Sequence, residues 1–365
     1  MNPNLKVIAL TKQNLIDAIN ENTYWKNERV FIPKSKALWL LKNTRIEADD
    51  YCAILCFENN HLMSYLLSIP DLINLEDGSQ KKLNWMHEWW VAENYQGTIV
   101  PSYVFNQAVK KLNKNILIES NAENSETFFS KQFHTIHVKT RYTIFFRLEH
   151  SVLVNKFPFI KYFKFIIHIL NSTLVTLLNI KNFNKTKKSL TEDIHYEYIN
   201  EIDHDTWAFL EPRCQNDFSL KTKDFISWHI DNSQYTQTPI AKRFHFKFST
   251  TGFSDNIHAH TFKIIKDKQI IGFISYLFNM IEFNVKYFLS KDDAHYDICV
   301  AALIEHCLKH KATYIITDDT KLSDAINKKY ITLFTYKKEK KSRIHKACDT
   351  TLKSAILTDR DGRFH

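Results

Sequence analysis

Five glycines serve 365 residues, and that scarcity constrains this chain more than any motif it carries. Glycine is the default residue where the backbone must take a positive φ or where another group must approach it closely. In a chain with so few, each one left is informative, because it is expected to fill such a backbone need. The P-loop and the dinucleotide fingerprint, which need several glycines, are accordingly absent. So are the Gly-x-Ser-x-Gly elbow of serine hydrolases and the His-Glu-x-x-His of zinc proteases. The most informative glycine is Gly97, in "WWVAENYQGTIVPSYVFNQAVKKL" (89–112). An apolar strand reaches Tyr95-Gln96-Gly97, and a helix follows with Val100, Val104, Ala108 and Leu112 at four-residue steps. A helix N-terminus carries unpaired N–H groups and partial positive charge, so strand, turn and helix can hold a phosphate with a single glycine. Thr98, Ile99 and Val100 are the expected donors.

Periodicity gives the first half the order β-α-α-β-β-β-α-β-α-β. Residues 5–10 read as a strand and 12–43 as helices, "YCAILCF" and "LMSYLLSI" as a hairpin, and "KLNWMHEWWVA" as the strand before Gly97. "NILIES", a short helix and "HTIHVKTRYTIFFRL" complete it. Residues 192–365 repeat that order, with a hairpin turning at Lys266-Asp267-Lys268 and a helix from Asp293. The expected fold class is α/β, an α+β mixed sheet used twice, with domains at 1–149 and 192–365.

Between the copies, 150–191 reads as a basic amphipathic linker helix. From Ser151 to Thr191 there are seven lysines, no acid and many large aliphatics. Lys161, Lys164, His168, Asn171 and Ser172 interrupt the apolar run, which argues against a membrane span. Two readings stand: a linker packed on a domain, or a helix lying on an anionic membrane surface. The net charge of +9 favours anionic partners. Nucleic acid is not expected, because aliphatics outnumber lysines in the basic segment.

Six scattered cysteines without CxxC, and a start too short and polar for a signal peptide, point to a cytoplasmic protein, peripheral at most on the inner membrane face. His258 and His260, spaced by two, lack an evident third ligand, so no metal is expected.

The strand motif "WVAENYQG" and the duplicated order resemble the GNAT acyltransferases, over 1–149 and, more divergently, over 192–350. In that family a Gln/Arg-x-x-Gly-x-Gly/Ala loop after the fourth strand holds the pyrophosphate of acyl-CoA. Gln96 falls on its first position, but Ile99 stands where the first glycine belongs and Pro101 where Gly/Ala belongs. Asn121, Phe128 and Phe133 match a second family spacing, with Phe128 where many members carry the tyrosine that protonates the thiolate. The resemblance implies acyl-CoA as co-substrate. Gln96, Gly97, Thr98, Ile99, Val100, Asn121 and Phe128 would lie around it, and the oxyanion would face a backbone N–H near Val91-Ala92. The second copy has Asp292 and Asp293 at the equivalent turn, where carboxylates repel a phosphate, so it is not expected to bind the cofactor.

Acyl transfer needs a base. His87 and Glu88 are adjacent on the strand and expected on opposite faces. Glu88, between large apolar neighbours, is the first candidate through a raised pKa, with His87 and Glu119 as alternatives. The expected function is transfer of an acyl group to an amine or hydroxyl of a small-molecule acceptor, such as an amino sugar or lipid precursor of the cell envelope. A non-catalytic tandem binding protein and a Fem-like aminoacyl transferase are the alternatives.

Overall fold

A computed structural model of the chain describes residues 5–26, 31–120, 126–150, 153–154, 157–236, 257–348, 351–352 and 357–364. In chain order the elements are β1 (Leu5–Thr11), α1 (Lys12–Glu21), α2 (Lys34–Leu41), β2 (Tyr51–Glu58), β3 (His61–Asn74), β4 (Gln80–Val91), α3 (Val100–Lys111), β5 (Ile116–Ile118), α4 (Glu126–Gln132) and β6 (Phe133–Phe145). Then follow α5 (Lys164–Leu170), α6 (Thr176–Ser189), β7 (Ile194–Tyr198), α7 (His204–Cys214), α8 (Lys223–Ile230), β8 (Ile257–Lys266), β9 (Gln269–Asn279), β10 (Glu282–Ser290), α9 (Asp293–Lys309), β11 (Tyr314–Thr317), α10 (Thr320–Lys329) and β12 (Phe334–His345). The mixed α/β class and the element order of both halves agree with the sequence reading.

The chain forms two compact units whose borders differ from those expected. The first contains 1–139, 214–255 and 340–365; the second contains 140–213 and 256–339. The expected 1–149, 150–191 and 192–365 therefore need correction: the linker helix lies within the second unit, and the end of the chain belongs to the first.

The physical reason is a set of buried polar and aromatic contacts that local periodicity cannot reveal. In the first unit Trp39 of α2 stacks on Trp228 of α8 with centroids 4.4 Å apart. Each indole N–H donates to the other residue's carbonyl, at 2.9 and 2.8 Å. Lys221 Nζ lies 2.9 Å from Asp361 Oδ1, both fully buried. Arg45 bonds Asp71 and the Leu220 carbonyl and lies over the Phe225 ring.

Strands β1 to β4 of the first unit form an antiparallel meander, and β5 joins β4 in parallel through Asn84↔Ile116 and Trp85↔Leu117. The 340–345 part of β12 pairs antiparallel with β5 through Arg343↔Ile118. Both faces of this sheet are covered, which is why β2 is apolar without alternation. Ala53, Leu55 and Phe57 join a core with α1, α2 and α8; Ile54 and Cys56 join another with α3 and α4. The second unit repeats the plan: β7 to β10 antiparallel, β11 parallel to β10, and the 140–145 part of β6 antiparallel to β11. In each unit the strand after the parallel pair comes from the other half of the sequence.

Candidate functional site

The fourth strand is broken at the expected catalytic residues. Tyr65 pairs with Trp90 but Leu67 with His87, so Glu88 and Trp89 together oppose Leu66. Glu88 takes φ +51°, a left-handed conformation uncommon outside glycine. Two residues against one is a β-bulge, which re-aims side chains and ends regular pairing. Pairing of β4 with β5 covers only Asn84 and Trp85, so the ladder between these two strands stops before the bulge.

The β5 side of β4 carries one of the two expected oxyanion donors. Ala92 N–H is committed to the Met63 carbonyl at 2.8 Å, which removes Ala92 from the role. Alternation turns the Val91 N–H the other way, toward the β5 side of the strand. On that side Gln96 Nε2 donates to the Val91 carbonyl at 3.2 Å, tying the turn to the strand.

Past β4, a 3₁₀ turn at Glu93–Tyr95 leads to Gly97 at φ +85°, then to α3. Two expected donors are committed. Thr98 N–H bonds the Tyr95 carbonyl at 3.2 Å, and Val100 N–H bonds Thr98 Oγ1, also at 3.2 Å. The N–H groups of Gly97 and Ile99 have no partner among the described residues, and Ile99 is 80% exposed. The turn thus offers fewer donors than expected, but they lie at the positive end of a 12-residue helix.

On the other side of β4 is a buried polar cluster. Lys36 of α2 is ion-paired with Glu88, with side chains 1% and 6% exposed. His87 Nε2 lies 3.2 Å from Glu88 Oε1. The expectation that His87 and Glu88 face opposite ways fails because the left-handed Glu88 breaks strand alternation. The expected raised pKa of Glu88 fails too. Burial pushes it up, but the Lys36 ammonium and His87 outweigh burial and hold it near 2. Glu88 is therefore a permanent anion at neutral pH and no base. Burial and the Glu88 charge raise the Tyr65 and Tyr235 hydroxyls well above the usual tyrosine range, which places both tyrosines in its field. The Tyr65 hydroxyl, Glu88 Oε2 and both side-chain polar atoms of Gln234 are buried without a hydrogen-bond partner among the described residues. Buried polar groups are nearly always paired, so this cluster has capacity for a bound polar group. Phe364 closes it, edge-on to His87 at 6.1 Å.

The remaining candidates scatter. Glu119, just past β5, is paired with Lys139 at 2.7 Å. Phe128 packs against Trp89 and Phe105, at 5.9 and 5.0 Å between centroids, so it borders β4 and α3. Asn121 lies outside the described residues. Sequence reasoning missed Lys36, Tyr65, Gln234 and Tyr235. Tyr65 alone left a trace, as a hydroxyl within the apolar "LMSYLLSI".

In the second unit the equivalent helix start is filled from within: Asp292 accepts the His295 N–H at 3.0 Å. His258 and His260 lie beside His310, with rings 6.4 and 5.5 Å from it. Among the described residues no group of three His, Cys, Asp or Glu is arranged to hold a metal. A cavity of about 370 Å³ between β1, β2 and α3 is lined by Val7, Thr11, Tyr51, Tyr103 and Lys111 and lies apart from the polar cluster.

No protein-family model matches the sequence, and no curated protein does. Solved structures match in fold. N-myristoyltransferase from Saccharomyces cerevisiae with bound myristoyl-CoA aligns over 98% of this chain and 89% of its own, at 10% identity and a TM-score of 0.53. GCN5-related N-acetyltransferases from Anabaena variabilis and Kribbella flavida each cover 93% of this chain and 72% and 70% of their own. They do so at 6% and 9% identity, with a TM-score of 0.47 for both. The chain shares the GNAT fold with N-myristoyltransferase.

Proposed function

We propose that the first unit is an acyl-CoA-dependent acyltransferase that moves an acyl group to an amine or hydroxyl of a small acceptor. The observation that carries this is the broken β4: its ladder with β5 covers only Asn84 and Trp85, and its end runs into the Gly97 turn and the start of α3. The fold supports it, since a protein of this fold was crystallised with myristoyl-CoA.

In this reading the N–H groups of Gly97 and Ile99 hold the pyrophosphate and the Val91 N–H faces the thioester oxygen. The acceptor enters the cluster around Glu88, where Tyr65 and Gln234 supply hydrogen bonds. His87 takes the proton, and Glu88, fixed as an anion by Lys36, orients the imidazole and stabilises its charged form. The acceptor nitrogen or oxygen attacks the thioester carbon; its bond to that carbon forms and the carbon–sulfur bond breaks. The proton passes to His87 and the thiolate leaves as an anion, Phe128 having none to give. A thiol of pKa about 8.5 leaves at modest cost near neutral pH.

The first test is calorimetry of the full chain with acetyl-CoA and myristoyl-CoA. Absence of binding by either removes the reading. With binding in hand, mass spectrometry of products from a panel of amino sugars and amine lipids tests transfer. His87→Ala should lower kcat by about 10²–10⁴ with CoA affinity kept. Binding without transfer to any acceptor favours the non-catalytic alternative, to which the pinned Glu88 already lends support.

A further inference from the structure

Residues Pro158–Ser189 form a continuous helical run of 32 residues, α5 and α6 joined by a π-helical turn at Asn171–Val175 and preceded by a 3₁₀ turn. Its amphipathicity is reversed. A helix on a soluble domain turns apolar residues to the core and polar ones to water. Here the side facing the rest of the second unit carries Asn171, Asn179, Asn182 and Thr186, the last three buried, with only Ile167 and Val175 as buried apolar residues among them. The solvent side carries Phe165 at 74%, Leu177 at 59% and Leu174 at 52% exposure, with Phe163, Ile166 and Ile180 also exposed.

Specific bonds fix this orientation. Asn171 accepts from the Leu148 N–H and donates to the Leu148 carbonyl, at 2.9 and 2.7 Å. Asn182 does the same to Ile331, at 2.8 Å for both bonds. Asn179 donates to the Phe146 carbonyl at 3.3 Å. Rolling the apolar side inward would break all five bonds and leave buried backbone groups unpaired. A contiguous apolar surface held outward in this way marks an interaction site.

The charge on the run selects the partner. Lys161 and Lys164 stand exposed at one end, and Lys181, Lys187 and Lys188 at the other, with no acidic residue anywhere from 158 to 189. An apolar band between lysine clusters suits a bilayer surface whose acyl region takes the band and whose anionic headgroups meet the ammonium groups. By length and composition the run could also cross a membrane. A crossing helix, however, would have to leave the unit and place Asn171, Asn179, Asn182 and Thr186 in hydrocarbon, where polar groups are expensive.

We propose that Pro158–Ser189 is an in-plane membrane anchor that docks the second unit on an anionic lipid surface. This stands independently of the acyl-transfer reading, since it rests on a different unit and different residues.

Flotation of the full chain with phosphatidylcholine vesicles, with and without phosphatidylglycerol, tests it. The chain should float with the anionic vesicles and sediment away from the neutral ones at physiological salt. Replacing Lys181, Lys187 and Lys188 by Gln should weaken binding by at least about tenfold, and high salt should do the same. Phe165→Glu with Leu177→Glu should abolish binding at every salt. Both positions are exposed, so the thermal melting curve should not move. The proposal is overturned if the wild type binds neither vesicle, or if binding survives Phe165→Glu/Leu177→Glu. It is also overturned if bound protein resists alkaline carbonate, which would mean a span. A concentration-dependent dimer in sedimentation, dispersed by the same two substitutions and formed without vesicle binding, would assign the surface to a second copy instead.

Discussion

Removing Lys36 should strand a buried anion, and the size of the effect can be worked out beforehand. Glu88 is 6% exposed, and its carboxyl sits near 2 against an ordinary 4.5. Each pKa unit is worth about 1.4 kcal/mol, so the depression corresponds to about 3 kcal/mol of stability at neutral pH. Breaking a buried pair by deleting one partner costs about 3–5 kcal/mol, which agrees. For a unit of roughly 200 residues, each kcal/mol moves Tm by about 2–4 °C, so Lys36→Met should lower its melting by about 6–20 °C. Tryptophan fluorescence reports this unit selectively, because Trp25, Trp39, Trp85, Trp89, Trp90 and Trp228 lie in it and only Trp207 in the other. Adding Glu88→Gln should recover most of the loss, since no uncompensated charge is then buried.

The pH dependence fixes the sign. In the wild type the depressed carboxyl contributes stability that is fully present above its ordinary value of 4.5 and lost as pH falls toward 2. Without Lys36, burial is opposed only by His87, and the folded pKa rises above its wild-type value. The penalty is then present at neutral pH and relieved as pH drops through the raised value, so the two stability curves should converge in acid. A constant gap between pH 7 and 4 would refute the buried-anion account. So would a double variant that loses the plain sum of the two single losses within about 0.5 kcal/mol.

Three further outcomes follow from the geometry. Gly97→Val should cost about 1–2 kcal/mol from its positive φ alone, as no heavy atom lies within 4 Å of the added Cβ, and should weaken CoA binding in calorimetry. Gly272→Ala should destabilise the second unit by about 1–3 kcal/mol in a urea melt, because its Cβ would meet Cys299 Sγ at 2.5 Å and Ile264 Cδ1 at 3.0 Å. Asn182→Ala should lower the same unit's stability by about 1–3 kcal/mol for each Ile331 backbone group left unpaired, read in the same melt.

What the sequence disclosed and what it hid divide along a physical line. Local signals read well. Lys266-Asp267-Lys268 turns the β8–β9 hairpin with Asp267 and Lys268 both at positive φ, as a two-residue hairpin turn demands. The apolar run of β2 and the four-residue steps of α3 also read correctly, because burial on a sheet or helix face leaves a period. Contacts between distant residues left none. Lys36 and Glu88 are 52 residues apart, and no pattern in either segment names the other. The bulge was equally hidden: a left-handed glutamate reads as an ordinary strand residue, so alternation placed His87 and Glu88 on opposite faces when they meet. The 158–189 helix is a different case, because its pattern was visible and its meaning was reversed. Asn171, Asn179, Asn182 and Thr186 recur at three-, four- and eight-residue steps, a helical stripe. Of these only Asn171 counts among the interruptions of the apolar run, with Lys161, Lys164, His168 and Ser172, and those argue only against a membrane span. Placed in the fold the stripe is the side that holds the helix down, through bonds to Leu148, Phe146 and Ile331. Periodicity identifies a stripe but not which side faces in; that assignment assumes an apolar interior meeting a polar exterior. Where the exterior is a lipid surface the assumption inverts, and the polar stripe becomes the evidence that the apolar one is meant to be outside.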